Sequence, residues 1–150
     1  MKIFDSIAAV EEAIGTHLGY SSWHTITQHQ IDAFAAATGD NQWIHTDPVR
    51  AAAGPFGGTI AHGYLTVSLV SSILDEVYAI DGVGMLVNYG ADRLRFPAVV
   101  PAGSRVRGGV ELLEVTPVTL GHRLRTRVTI ERDGGDKPVC VIDVLRIAAP

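Results

Sequence analysis

Cysteine is almost missing: Cys140 is the only one in 150 residues, so no internal disulfide can form. That suits a reducing compartment. Charge is sparse as well, at 19% of residues, and the net charge of −4 argues against nucleic acid as a main partner. Long apolar runs are lacking. The longest, Tyr64 to Leu74, is interrupted by the hydroxyls of Thr66, Ser68, Ser71 and Ser72 and ends at Asp75, so no membrane span is expected. The opening Met1-Lys-Ile-Phe-Asp-Ser carries neither a long apolar segment nor a small-residue cleavage site. There are no internal repeats, linkers or low-complexity stretches. These absences leave a cytoplasmic protein without membrane segments as the expectation.

What is present is a chain 47% hydrophobic, enough to bury one core across a single domain spanning residues 1–150. Cys140 falls in an apolar strand pattern and reads as buried filler rather than a nucleophile. Ser6 caps a short helix to Ile14, and Gly19 to Ile26 reads as a first strand. Thr27 caps a helix from Gln28 to Thr38, and Gly39 terminates it. Asp47-Pro48 opens a helical turn through Ala53. From Tyr64 onward, Leu65, Leu69 and Ile73 form one stripe and Val70, Leu74 and Val77 its neighbour, as in a core helix wrapped by a sheet.

The remainder reads as strand: Met85–Tyr89 with Arg93–Phe96, then Arg105–Val115, Leu120–Arg132 and Pro138–Ile147. Thr116-Pro117 and Asp133-Gly134-Gly135 mark turns. Leu124, Thr126, Val128 and Ile130 alternate with Arg123, Arg125, Arg127 and Thr129, so one face of that strand is wet. Long strands joined by short turns, with no βαβ alternation, imply an α+β layout with an antiparallel sheet.

The most constrained stretch is Thr38–Gly63, which holds Asp40-Asn-Gln-Trp-Ile-His45 and later Ile60-Ala-His-Gly63. A carboxylate and an imidazole leaving a helix through a turn can converge on one small volume. Gly63 opens the apolar helix, where free N–H groups favour developing negative charge. Acid, base and oxyanion donor together form a catalytic constellation. Taken alone, Asp40 reads as a turn cap and His45 as a structural histidine.

Asp40-Asn-Gln-Trp-Ile-His45, Ala51 and Ile60-Ala-His-Gly63 resemble the motif of the MaoC-like (R)-specific enoyl-CoA hydratases. The likeness covers Phe34 to about Ser71 and continues in Leu94-Arg95-Phe96-Pro97 and Val100-Pro101-Ala102-Gly103. Gln42 stands where Asn is common and Trp43 where Pro is common, as in a nodulation-protein-like branch. The resemblance implies a hotdog fold, an antiparallel sheet wrapped around a long central helix. It implies reversible syn hydration of trans-2-enoyl thioesters by Asp40 and His45, with Gly63 as oxyanion donor. Which of the two is base and which is acid stays open.

Gln42 is a candidate to orient Asp40 or the water, and His62 a structural hydrogen-bonder beside the glycine. The resemblance places the Ser71 hydroxyl near the catalytic carboxylate; small-residue packing is its other reading. Asp47, His45 and His62 are too few ligands for a convincing metal site. Arg93, Arg95, Arg105 and Arg107 could meet coenzyme A phosphates, but a solvated outer face is the simpler reading. No cofactor is expected, since acyl-CoA or acyl carrier protein thioester is the substrate. A hotdog unit leaves its sheet edge and groove incomplete, so a homodimer is expected. The rival readings are a hotdog thioesterase and a non-catalytic acyl-binding subunit.

Overall fold

The computed structural model describes all of residues 1–150. The chain opens with β1 (Lys2–Phe4), α1 (Ile7–Glu12), β2 (His17–Tyr20) and β3 (His24–Thr25). Three helices follow: α2 (Gln28–Thr38), α3 (Trp43–Thr46) and α4 (Pro48–Ala52). The core helix comes as α5 (Gly63–Ser68) and α6 (Val70–Val77), and then the strands β4 (Tyr78–Ile80), β5 (Met85–Arg95), β6 (Arg105–Val118), β7 (Gly121–Arg132) and β8 (Cys140–Ala149).

Local chemistry sets the helix ends. Ser6 accepts from the Ala9 N–H, and Thr27 with Gln30 forms a reciprocal capping box. Gly39 closes α2 at φ 79°, in the left-handed region. The central helix is not continuous. Leu69 interrupts it, its N–H bonding Thr66 O three residues back. Thr66 and Ser68 each bond a carbonyl four residues back, and such back-bonding bends helices.

Strands β6, β7 and β8 form the expected antiparallel meander, and the main sheet runs β2-β6-β7-β8-β5 with β3 also on β6. Ile73, Leu74 and Val77 of α6 pack into the inner face with Val106, Val110, Leu124, Val128 and Ile142. This is the α+β sheet-on-helix layout. Cys140 is fully buried there, which pushes its thiol up to about 11 and keeps it protonated and inert.

Several boundaries differ from the sequence reading. Met85–Tyr89 and Arg93–Phe96 are one strand, β5, because bulges at Asn88/Gly90 and Asp92/Arg95 break its alternation without ending it. Pro117 is no turn: it pairs with His122 inside β6, and the chain reverses at Thr119 and Leu120. The stretch from Gly19 to Ile26 is two short strands. The parallel pairing of β1 with β4 was not expected, since neither exceeds three residues.

On the outer face Arg105 pairs with Asp133, Arg107 with Glu131, and both Arg125 and Arg127 with the buried Asp143. The hydrogen bond from Arg127, together with both positive charges, holds the Asp143 carboxyl below its ordinary range. Arg105 and Arg107 therefore belong to a paired surface ladder. Arg93 and Arg95 are exposed and make no ion pair.

Candidate active site

α2 ends at Gly39 and releases Asp40 into a turn. α3 then carries His45 inward, to 6% exposure. His45 Nδ1 lies 2.6 Å from Ile60 O. A carbonyl can only accept, so Nδ1 carries the proton and the neutral ring keeps a bare Nε2.

Several bonds fix that arrangement. Gln28 Nε2 donates to His45 O at 2.7 Å, while Gln28 Oε1 accepts from Thr59 Oγ1. Ile60 N donates to Ile44 O at 3.0 Å, so one clamp joins α2, α3 and the Thr59–Ile60 segment. Nothing in the residue pattern singled out Gln28 or Thr59, which lie 31 residues apart. The Trp43 ring packs under the Arg50 guanidinium, 4.4 Å from its centroid.

His62 touches both members of the pair. Its ring stacks on His45 with centroids 3.8 Å apart, and its Nε2 donates to the Asp40 backbone carbonyl at 2.9 Å. Phe34 packs on it too, 5.0 Å away. The structural hydrogen-bonder expected from the sequence is thus a brace for Asp40 and His45.

Asp40, His45 and His62 bring polar atoms within 4.8 Å of one another. Proximity alone does not make a metal site. Nitrogen lone pairs lie in the ring plane, and rings stacked at 25° do not aim two of them at one ion. Asp47 stands apart from this group, capping α4 by accepting from Arg50 N at 3.0 Å.

Gly63 is the first residue of α5, where an N–H has no helical acceptor. A Cβ at this position would lie 3.0 Å from the Phe96 ring, so any other residue here would have to push that ring aside. His45, Gly63, Thr66 and Phe96, with Val99 and Val139, line a pocket of about 180 Å³. The His45 imidazole, helix start and aromatic wall thus share one small, mostly apolar volume. Asp40 stays exposed, with its carboxylate beside the rings.

Two candidates sit elsewhere. Ser71 accepts from Asn88 Nδ2 at 3.1 Å and lines cavities against β5, so within one chain it is not brought to Asp40. The cause is geometric, since eight residues of helix separate it from Gly63. Gln42 is exposed, and it is its backbone carbonyl that bonds, accepting from His45 N and Thr46.

Residues 9–133 match the MaoC like domain. The chain belongs to the MaoC-like family. Similar relatives include the 3-hydroxyacyl-thioester dehydratase Z of Mycobacterium tuberculosis, 47% identical over 144 residues and 95% of either chain. Nodulation protein N of Rhizobium leguminosarum is 43% identical over 145 residues, 95% of this chain and 90% of that one, which accords with the branch suggested by Gln42 and Trp43. Among solved structures, the unliganded R-hydratase PhaJ1 of Pseudomonas aeruginosa superposes with a TM-score of 0.75 at 27% identity, over 91% of this chain and 81% of that one. The MaoC-like hotdog architecture is therefore the frame in which Asp40, His45 and Gly63 are held.

Proposed function

We propose that this MaoC-like chain is a hydro-lyase that reversibly adds water to trans-2-enoyl thioesters, giving (R)-3-hydroxyacyl thioesters in fatty-acid metabolism. The observation that carries the mechanism is the His45 Nδ1 bond to Ile60 O, because it leaves Nε2 free in a ring that has a nitrogen within 4.8 Å of an Asp40 carboxylate oxygen. His45 Nε2 takes a proton from a water held by Asp40, and the water oxygen bonds to the β-carbon. The electron pair of the double bond moves to the thioester oxygen, which the Gly63 N–H receives. The imidazolium then returns a proton to the α-carbon. One nitrogen acting on both carbons adds H and OH to the same face, which is syn addition. Dehydration is the reverse path.

No cofactor is required by this chemistry, because the thioester carbonyl is the electron sink. The thiol carrier is coenzyme A or acyl carrier protein. No helix is long and apolar enough to cross a membrane. With its one cysteine buried and free, the chain fits the cytoplasm. We read residues 1–150 as one hotdog unit that pairs with a second copy. β5 is an unpaired sheet edge of 11 residues, and it exposes Met85, Val87 and Tyr89. An open edge whose first half is apolar invites pairing with another strand. Light scattering should show a dimer, and a fully active monomer would contradict it.

Incubation with crotonyl-CoA tests the reaction. Hydration removes the conjugated double bond, and an (R)-specific 3-hydroxyacyl dehydrogenase should oxidise the product. Release of free thiol would instead indicate a thioesterase, and neither change a binding subunit. Oxidation by only an (S)-specific dehydrogenase would reject the stereochemistry.

A further inference from the structure

Gly63, Val67, Ser71 and Asp75 recur at four-residue intervals and mark one stripe along α5 and α6. Gly63 lines the catalytic pocket, Val67 and Ser71 line one of two larger cavities beneath β5, and Ser71 and Asp75 line the other. The nearer, about 560 Å³, is lined by Val67, Val70, Ala91, Ile142 and Val144, apolar groups suited to methylenes. The farther, about 420 Å³, contains Asp75, Tyr78, Leu86 and Arg146. Ser71 and Asn88 belong to both cavities, so the two adjoin.

Arg146 is out of place on apolar grounds. It points from the inner face of β8, between core residues Val144 and Ala148, and is only 3% exposed. It donates to Asp75 Oδ1 at 3.2 Å and to the Tyr78 hydroxyl at 2.9 Å, while its Nε–H has no partner. A guanidinium has five N–H donors, so most of its capacity is unassigned. An ion pair alone would need neither a cavity beside it nor the Asn88 amide and Ser71 hydroxyl that share the space. A buried unpaired donor is costly, and Arg146 also lines the farther cavity.

We propose that the farther cavity is a subsite for a neutral oxygen-bearing group, a hydroxyl or ketone, at the distal end of the acyl chain. Asp75 already balances the charge of Arg146, so a carboxylate there would meet like charge. A neutral oxygen accepts from Arg146 and receives or donates at Ser71 and Asn88. The nearer cavity carries the hydrocarbon between this subsite and the reacting carbons. The assignment rests on the hydratase reading above. It also makes use of the β5 pairing, since a partner strand on that edge would wall the cavities in.

The test is the ratio of kcat/KM for medium-chain trans-2-enoyl-CoA thioesters with a terminal hydroxyl or penultimate ketone to that for the plain chains. The wild-type protein, Arg146→Met and Asn88→Leu are compared. Each ratio is internal to one preparation, so partial unfolding does not move it. In the wild type the oxygenated chains should be preferred by roughly ten- to a hundredfold, the range of a hydrogen bond to a charged donor. The preference should collapse toward one in both variants, and Asn88→Leu decides alone if Arg146→Met does not fold. A wild-type ratio near one, or a preference unchanged in the variants, would overturn the subsite. So would a stronger preference for a terminal carboxylate. In those cases plain enoyl thioesters are still hydrated, whereas no hydration of any thioester would remove the hydratase reading and the subsite together.

Discussion

The β6–β8 meander and the segment from Gly39 to Gly63 are held by different kinds of bond. In the meander, Val106 to Val118 and Gly121 to Arg132 pair in near-continuous register, and Cys140 to Ala148 continues the ladder. Any single side chain there is one contributor among many. The segment has only two short helices, and its geometry hangs on single polar contacts: Gln28 to His45 O, His45 to Ile60 O, and His62 to Asp40 O. On the proposed mechanism, stability is concentrated in the first region and chemistry in the second. Substitutions should therefore separate the two, moving melting temperature in one place and turnover in the other.

The largest separation should come from the pair itself. His45→Gln and Asp40→Asn keep size and polarity, yet each should lower kcat by roughly 10²–10⁴-fold, the range of lost acid–base catalysis. KM should change far less, and thermal melts should stay near the wild type. If Asp40 only caps a turn, its replacement would instead cost about 0.5–2 kcal/mol and leave turnover intact.

The next effect isolates the Gly63 N–H. At the first helical position, proline removes a donor that the helix does not use, so the fold tolerates it. His62 has ψ 139°, which suits a residue before proline. Because Phe96 crowds this position, both variants are made in Phe96→Ala: Gly63→Ala keeps the N–H and Gly63→Pro deletes it. Steady-state kinetics should show the proline form slower by about 10²–10³-fold, as for loss of one oxyanion donor. Equal rates would remove Gly63 from the mechanism.

The opposite side of the comparison is Asp143. Asp143→Asn leaves Arg127 without its buried partner and should lower stability by roughly 2–3 kcal/mol, less than for a fully buried pair because Arg127 reaches water. Calorimetry should register this while kcat holds. The wild type should also show a matching acid sensitivity. A carboxyl depressed in the folded state contributes its full stabilisation above the unfolded carboxylate pKa, near 4. That contribution is lost as pH falls through the lower folded value. The asparagine variant should lack that part of the pH dependence.

The smallest effect sharpens the contrast. Gln28→Leu cuts the clamp on His45 O and should lower kcat by roughly three- to tenfold, the worth of an ordinary hydrogen bond. Thr59→Val should act in the same direction, and the double variant should be little worse than Gln28→Leu. A drop in melting temperature with kcat unchanged would make the clamp merely structural.

The meander was readable because Leu124 to Ile130 alternate strictly, with one wet and one dry face, and β8 follows it as a largely apolar run after the Asp133-Gly134-Gly135 turn. β5 was not, since two bulges shift its alternation and make one strand look like two. Pro117 misled for a related reason: proline usually ends a strand, but this one lies next to the end of β6. In the site, Asp40, His45 and Gly63 stood out through the resemblance of their motif, since alone Asp40 reads as a turn cap and His45 as a structural histidine. Gln28 and Thr59 did not, because their contact spans two elements and leaves no periodic trace. Nor could the sequence show that Ser71 faces Asn88, which depends on the path of β5.

The most direct measurement is kcat for crotonyl-CoA hydration in Asp40→Asn, His45→Gln and the double variant, each checked for folding. Two groups acting on one water form a unit, so the double variant should be about as slow as the slower single one. Full activity in folded Asp40→Asn, or losses that multiply in the double variant, would contradict a shared water.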